Sequence, residues 1–222
     1  MTLQNHKWAK LPLEHIKVYL EDCLLISPYI ISVGCGNGAY EYEISEGCNQ
    51  LREKLILVDP NPEEFSPYPS SGRYIKVNYS TVNSLVSQVP NVIENCVLLL
   101  IWPYDDGNTS DNSVYDYEAV TVLKPKSIIV VYERPDDRPT GASGGSELCQ
   151  LLSHPEKLDY RCISMTRYRF LARVGALYPK ISWLAKKGSL VPKKKNCLEL
   201  QVEADKIADF SEANDPGACS VS

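Results

Sequence analysis

The segment Val33-Gly34-Cys35-Gly36-Asn37-Gly38-Ala39 sets three alternating glycines directly after an apolar, β-branched run. Glycine at such a strand-to-helix turn permits positive φ and lets a ligand come against the backbone without meeting a Cβ atom. Asp59 closes the next apolar run about twenty residues beyond Gly38, where its carboxylate can accept hydrogen bonds from both ribose hydroxyls of a nucleoside. The plain alternative is a tight turn, with Asp59 capping or solvating a loop. A third turn, Ile101-Trp102-Pro103-Tyr104-Asp105-Asp106-Gly107, ends another apolar run. Asp105 or Asp106 can act there as base for an oxygen or nitrogen nucleophile if desolvation raises its pKa. The pair reads equally as a solvated acidic loop. A second glycine-rich segment, residues 141–145, offers backbone N–H groups to a carboxylate or phosphate of a substrate, or is a linker ending in a helix cap.

The elements that must position these turns follow from hydrophobic period. Residues 11–25 suit an amphipathic helix. The continuous apolar runs Tyr29–Val33, Leu55–Val58, Cys96–Ile101 and Ser127–Tyr132 read as buried strands, and residues 73–78 alternate like another. Helices are expected over residues 39–51, 81–89 and 113–123, and in a segment ending near Leu152. Residues 161–170 and 197–202 read as two late antiparallel strands. Strands alternating with helices imply an α/β, three-layer αβα sandwich around a mostly parallel sheet. Ligands in such folds bind beyond the carboxyl ends of the strands, at the point where strand order reverses, and every turn named above lies on that edge.

With those residues in place, the chain resembles the class I S-adenosylmethionine-dependent methyltransferase superfamily, without a subfamily being marked. The glycine turn, the segment Val58-Asp59-Pro60-Asn61-Pro62 and the junction Leu123-Lys124-Pro125-Lys126 before Ile128 carry the resemblance. It implies a seven-stranded sheet in the order 3-2-1-4-5-7-6, with strand seven antiparallel, and S-adenosylmethionine as cofactor. The backbone of Gly34, Gly36 and Gly38 would lie against the methionine end of that cofactor and Asp59 would bind its ribose. Asn61 would assist or line the adenine pocket, and Asn78 would read the adenine edge at a position where many relatives carry an acid. Trp102, Tyr104 and Asp105 would line the acceptor funnel, Trp102 on the cofactor side and Tyr104, Asp105 and Asp106 as the catalytic group. Relatives that methylate amines often place Asn or Asp before Pro-Pro-Tyr here, whereas this chain has Ile101-Trp102-Pro103-Tyr104.

The resemblance implies methyl transfer to an unidentified acceptor. Two alternatives stay open: an S-adenosylmethionine-binding module, inactive in transfer, that serves in a complex, and an NAD-dependent oxidoreductase, since Gly34-x-Gly36-x-x-Ala39 also satisfies the dinucleotide fingerprint. The oxidoreductase explains less, because the late antiparallel strands leave no room for a second mononucleotide half.

Composition bounds the rest. The chain has 222 residues, 44% of them apolar, enough to fill one large core, so general disorder is excluded. A net charge of -5 argues against holding nucleic acid by overall charge. The local cluster of Arg167, Arg169, Arg173, Lys186, Lys187 and Lys193 to Lys195, interleaved with Tyr168, Phe170 and Trp183, is either a weak nucleic-acid contact or a solvated face. No apolar run approaches the roughly 20 residues of a membrane span. Eight cysteines stand singly with no C-x-x-C pair, and His6, His15 and His154 have no metal-ligand spacing, so no metal is expected. Without a secretory signal the reading is a cytoplasmic chain with reduced thiols. Residues 1–209 read as one domain containing a lysine-rich insert at about residues 171–196, and residues 210–222 as a flexible tail. Cys219-Ser220-Val221-Ser222 fits a loose prenylation box.

Overall fold

A computed structural model describes residues 13–62, 73–103, 115–132, 144–167, 170–172, 175–177 and 180–191. In chain order the helices are α1 (Leu13–Cys23), α2 (Ala39–Ile44), α3 (Asn49–Lys54), α4 (Val82–Gln88), α5 (Tyr115–Leu123) and α6 (Ser146–Ser153). The strands are β1 (Tyr29–Val33), β2 (Leu55–Val58), β3 (Cys96–Ile101), β4 (Ser127–Tyr132), β5 (Tyr160–Arg167), β6 (Phe170–Ala172), β7 (Gly175–Leu177) and β8 (Lys180–Lys186).

Six strands form one mixed sheet in the order β2-β1-β3-β4-β8-β5. The first four run parallel, and β8 is antiparallel to both β4 and β5. Alternation of side chains along each strand divides the core into two apolar layers. Ile30, Leu57, Val97, Leu99, Ile129 and Trp183 face α1, α2 and α3, whereas Ile31, Val58, Leu98, Leu100, Ile128 and Leu184 face α4, α5 and α6. Helix α1 meets its layer through Ile16, Tyr19, Leu20 and Cys23, spaced as one helical face requires. The result is the expected αβα sandwich, with helices on both faces.

Four expectations need correction. First, residues 73–78 do not form a full strand: among the described residues, only a single parallel bridge, Val58 to Tyr79, continues the sheet beyond β2, which gives six strands where seven were expected. The side chains there alternate, with Ile75 and Val77 partly buried against the core and Tyr74 largely exposed, but the backbone meets β2 near its end, where Asn78 N and Tyr79 N both donate to Leu57 O. Second, the helix expected over residues 39–51 is two helices, broken at Gly47, whose φ is +75°.

Third, the lysine-rich insert contains β8, an interior strand of the sheet. Its residues from Lys180 to Ala185 are all buried, since Ile181 and Trp183 pack into one apolar layer and Leu184 into the other. Trp183 is fully buried, donates from Nε1 to Ser127 Oγ at 2.9 Å and packs against Tyr19 with ring centroids 5.2 Å apart. A ring so placed cannot stack on a base, which removes Trp183 from the expected nucleic-acid contact. Fourth, β5 ends at Arg167, earlier than expected, and pairs with β8; residues 197–202, expected as its partner strand, lie outside the described residues. Residues 210–222, including Cys219, also lie outside them. Among the described residues no helix is long and apolar enough to cross a membrane, and no cluster of His, Cys, Asp and Glu has metal-binding form.

Candidate functional site

Strand order reverses between β1 and β3. From β1 the chain passes through α2 and α3 to β2 on one side; it then returns through α4 to β3 on the other side. The carboxyl ends of β1 and β3 therefore flank the switch-point crevice where ligands of this architecture bind. The glycine turn leaves β1 at this point, and Trp102-Pro103 leaves β3 beside it.

All three glycines of the turn have positive φ: +70° at Gly34, +55° at Gly36 and +75° at Gly38. At two of them the chain itself explains why no side chain is tolerated. A Cβ on Gly34 would lie 2.6 Å from Tyr115 Cε2, and one on Gly38 would collide with the Ile75 carbonyl oxygen and the Leu57 side chain. The turn is pinned to β2 through Gly34 N–H donating to Val58 O at 2.9 Å.

Asp59, at the end of β2, reaches back across this turn. Its Oδ2 accepts from Gly36 N at 2.8 Å and its Oδ1 from Asn61 N at 2.8 Å. The residue is 8% exposed, so the carboxylate is held at the crevice by two backbone donors and is not a loop solvator. Asn61 thus enters the site through its backbone, with its side chain exposed. Asn78 Oδ1 is used differently: it accepts from Leu57 N at 2.9 Å and splices the segment before Tyr79 onto β2.

A second carboxyl lies beneath the turn. Glu41, in the first turn of α2, is 1% exposed, and its Oε1 accepts from Ser32 Oγ at 2.6 Å. Its Oε2 is buried and has no hydrogen-bond partner among the described residues. Burial raises its pKa to about 7, with the Asp59 charge adding to the rise and the Ser32 bond opposing it. The same burial, followed by the charges of Glu41 and Asp59, pushes the Cys35 thiol far up, so Cys35 stays neutral and is not a nucleophile.

On the β3 side, Trp102 has φ +54°, a left-handed conformation that costs a bulky residue roughly 1–3 kcal/mol. It is 8% exposed and belongs to the core layer that contains α1 and α2. Tyr104, Asp105 and Asp106 lie outside the described residues. The second glycine turn reaches the same edge: Gly144 N donates to Pro103 O at 2.8 Å, and Gly145 N to Asp116 Oδ2 at 2.9 Å. The sequence left that turn as either a site for a substrate anion or a linker ending in a helix cap. The anion on Gly145 is instead the chain's own Asp116, fully buried, whose Oδ1 also accepts from Tyr117 N at 2.6 Å. Burial raises the pKa of Asp116, and these N–H donors oppose the rise.

Tyr115, Asp116 and Glu41 were not among the sequence candidates. Glu41 carried a signal, being three residues before Ile44 on the buried face of a helix that leaves the glycine turn. Tyr115 and Asp116 carried none beyond their place in the first turn of a helix.

No family model and no curated protein sequence matches the chain. Solved structures similar to it include the methyltransferase domain of bacterial CtHen1-C, at 14% identity and TM-score 0.47 over 78% of this chain and 97% of that one. The plantazolicin methyltransferase BpumL in complex with SAH is similar at 16% identity and TM-score 0.46, over 78% and 82%. The N-methyltransferase NodS from Bradyrhizobium japonicum WM9 is similar at 10% identity and TM-score 0.41, over 80% and 98%. Likeness at such identities concerns the path of the chain and not its substrate.

Proposed function

We propose that the chain binds S-adenosylmethionine at the switch point between β1 and β3 and transfers its methyl group to an acceptor. The observation that carries this reading is the Asp59 carboxylate, fixed at the end of β2 beside the switch point by Gly36 N and Asn61 N. The sheet order adds support, because β8 enters antiparallel between β4 and β5 as the resemblance implies.

In this account Asp59 holds the ribose, and Gly34, Gly36 and Gly38 present backbone to the amino-acid end. Asn61 and Asn78 border the adenine side, and Trp102 closes the wall below the acceptor. The bound cofactor supplies a methyl group on a sulfonium, so the leaving group needs no activation and the protein's task is placement. Asp105, with Tyr104 and Asp106 beside it, is the proposed base, since these residues follow Pro103 directly at the carboxyl end of β3. A labelled-methyl assay on cell extract separated into RNA, protein and small molecules tests transfer, with Asp105→Asn and Asp106→Asn as comparisons. Label in one fraction, lost in Asp105→Asn, is the expected result; absence of label from every fraction, despite cofactor binding, contradicts transfer.

A second reading, binding without transfer, is favoured by the burial of Ile101 and Trp102, which leave no amide or acid at the place where amine-directed relatives carry one. The same assay decides between the two.

A further inference from the structure

We propose that Tyr115 makes this crevice selective for a cationic ligand, its ring forming the wall against which a sulfonium is held. The inference rests on the reading of the site given above and names the residue that distinguishes the charged cofactor from its neutral thioether product.

Tyr115 is the first residue of α5, yet its ring reaches across to the turn that follows β1. Its Cε2, Oη and Cζ lie 2.6, 2.9 and 3.0 Å from the place a Cβ on Gly34 would occupy. The side chain thus spans the two sides of the switch point, and it is only partly buried. Its position is fixed by its neighbour. Asp116 binds Tyr117 N and Gly145 N with its two oxygens, and Gly144 N binds Pro103 O, so the start of α5, the second glycine turn and the end of β3 form one hydrogen-bonded unit. A Cβ on Gly144 would meet Asp116 Oδ2 at 2.8 Å, which shows how closely that unit is packed.

An aromatic ring attracts a cation through its quadrupole, and the attraction grows where water is excluded. A neutral thioether of the same shape gains packing from the ring but not this electrostatic part. Asp59, whose carboxylate accepts from Gly36 N in the same turn, adds negative potential of the same sense.

The test is calorimetric titration of wild type, Tyr115→Phe and Tyr115→Leu with S-adenosylmethionine and with S-adenosylhomocysteine, at one pH and ionic strength. Tyr115→Phe should keep the ratio of the two affinities within about twofold. Tyr115→Leu should weaken S-adenosylmethionine about fivefold and S-adenosylhomocysteine by less than about twofold. Equal losses for both ligands, or no loss for either, overturn the inference and leave Tyr115 as packing on Gly34. A wild-type protein that binds neither ligand overturns the functional reading, and this inference with it. Thermal melting confirms that each variant is folded; should Tyr115→Leu not be, Tyr115→Met is read by the same criteria.

Discussion

Gly36 donates its backbone N–H to Asp59 Oδ2 at 2.8 Å, joining the turn after β1 to the end of β2. This bond makes Asp59 part of the turn's architecture as well as the proposed ribose acceptor. Asp59→Ala leaves Gly36 N and Asn61 N without their acceptor. Hydrogen bonds to a charged group contribute roughly 1.5–3 kcal/mol each, so a loss of about 3–6 kcal/mol is expected in urea denaturation. Stability within about 0.5 kcal/mol of wild type would mean that the carboxylate does not organise the turn.

Glu41 makes stability depend on pH. Its folded pKa of about 7 stands above the ordinary value of 4.5, so between those limits the native state holds a proton that the unfolded chain releases. Stability must therefore fall as pH rises from about 4.5 to about 7, by about 3 kcal/mol from this group. Glu41→Gln has no proton to lose, so its stability relative to wild type should rise over that window and level off above it. Denaturation curves from pH 4 to pH 8 measure this, and a difference independent of pH would contradict the assignment.

Gly38→Ala tests the close approach of Ile75 to the turn. The φ of +75° disfavours any Cβ, and the added atom meets a backbone carbonyl that cannot turn aside. A loss of about 2–4 kcal/mol is expected from the two effects together. A variant as stable as wild type would show that the segment before Tyr79 is free to move off the turn.

Trp183 reports on the lysine-rich segment. A fully buried indole in an interior strand predicts that Trp183→Ala costs about 3–5 kcal/mol, read from the denaturation midpoint. A surface tryptophan would cost little, and that outcome would return the segment to a solvent-facing role.

The four parallel strands were legible in the sequence because strands buried on both faces are written as unbroken apolar runs, stopped by Gly34, Asp59-Pro60, Trp102-Pro103 and the segment after Tyr132. Strand β8 is buried as deeply but was hidden. Lys180 and Lys186 bracket it, Ser182 interrupts it, and its polar members are accommodated by partners far along the chain, such as Tyr132 Oη with Ser182 Oγ at 3.2 Å. Asp59 and the glycines were legible because their spacing follows from a local turn. Asp116 was not, since a carboxylate in the first turn of a helix reads as a favourable dipole contact, and only the fold brings Gly145 to it. Tyr115 was hidden for the same reason: Gly34, the residue it packs on, is far away in sequence.

The central claim is that a nucleoside sulfonium is held across the switch point by Asp59. The most direct measurement is calorimetric titration of wild type and Asp59→Asn with S-adenosylmethionine, with NAD as the competing ligand. Asp59→Asn keeps an acceptor for one backbone donor and so separates ligand binding from collapse of the turn. Saturable binding of S-adenosylmethionine to wild type, weakened at least about tenfold in Asp59→Asn, with no comparable binding of NAD, is the predicted result. Unchanged affinity in Asp59→Asn, or binding of NAD alone, contradicts it.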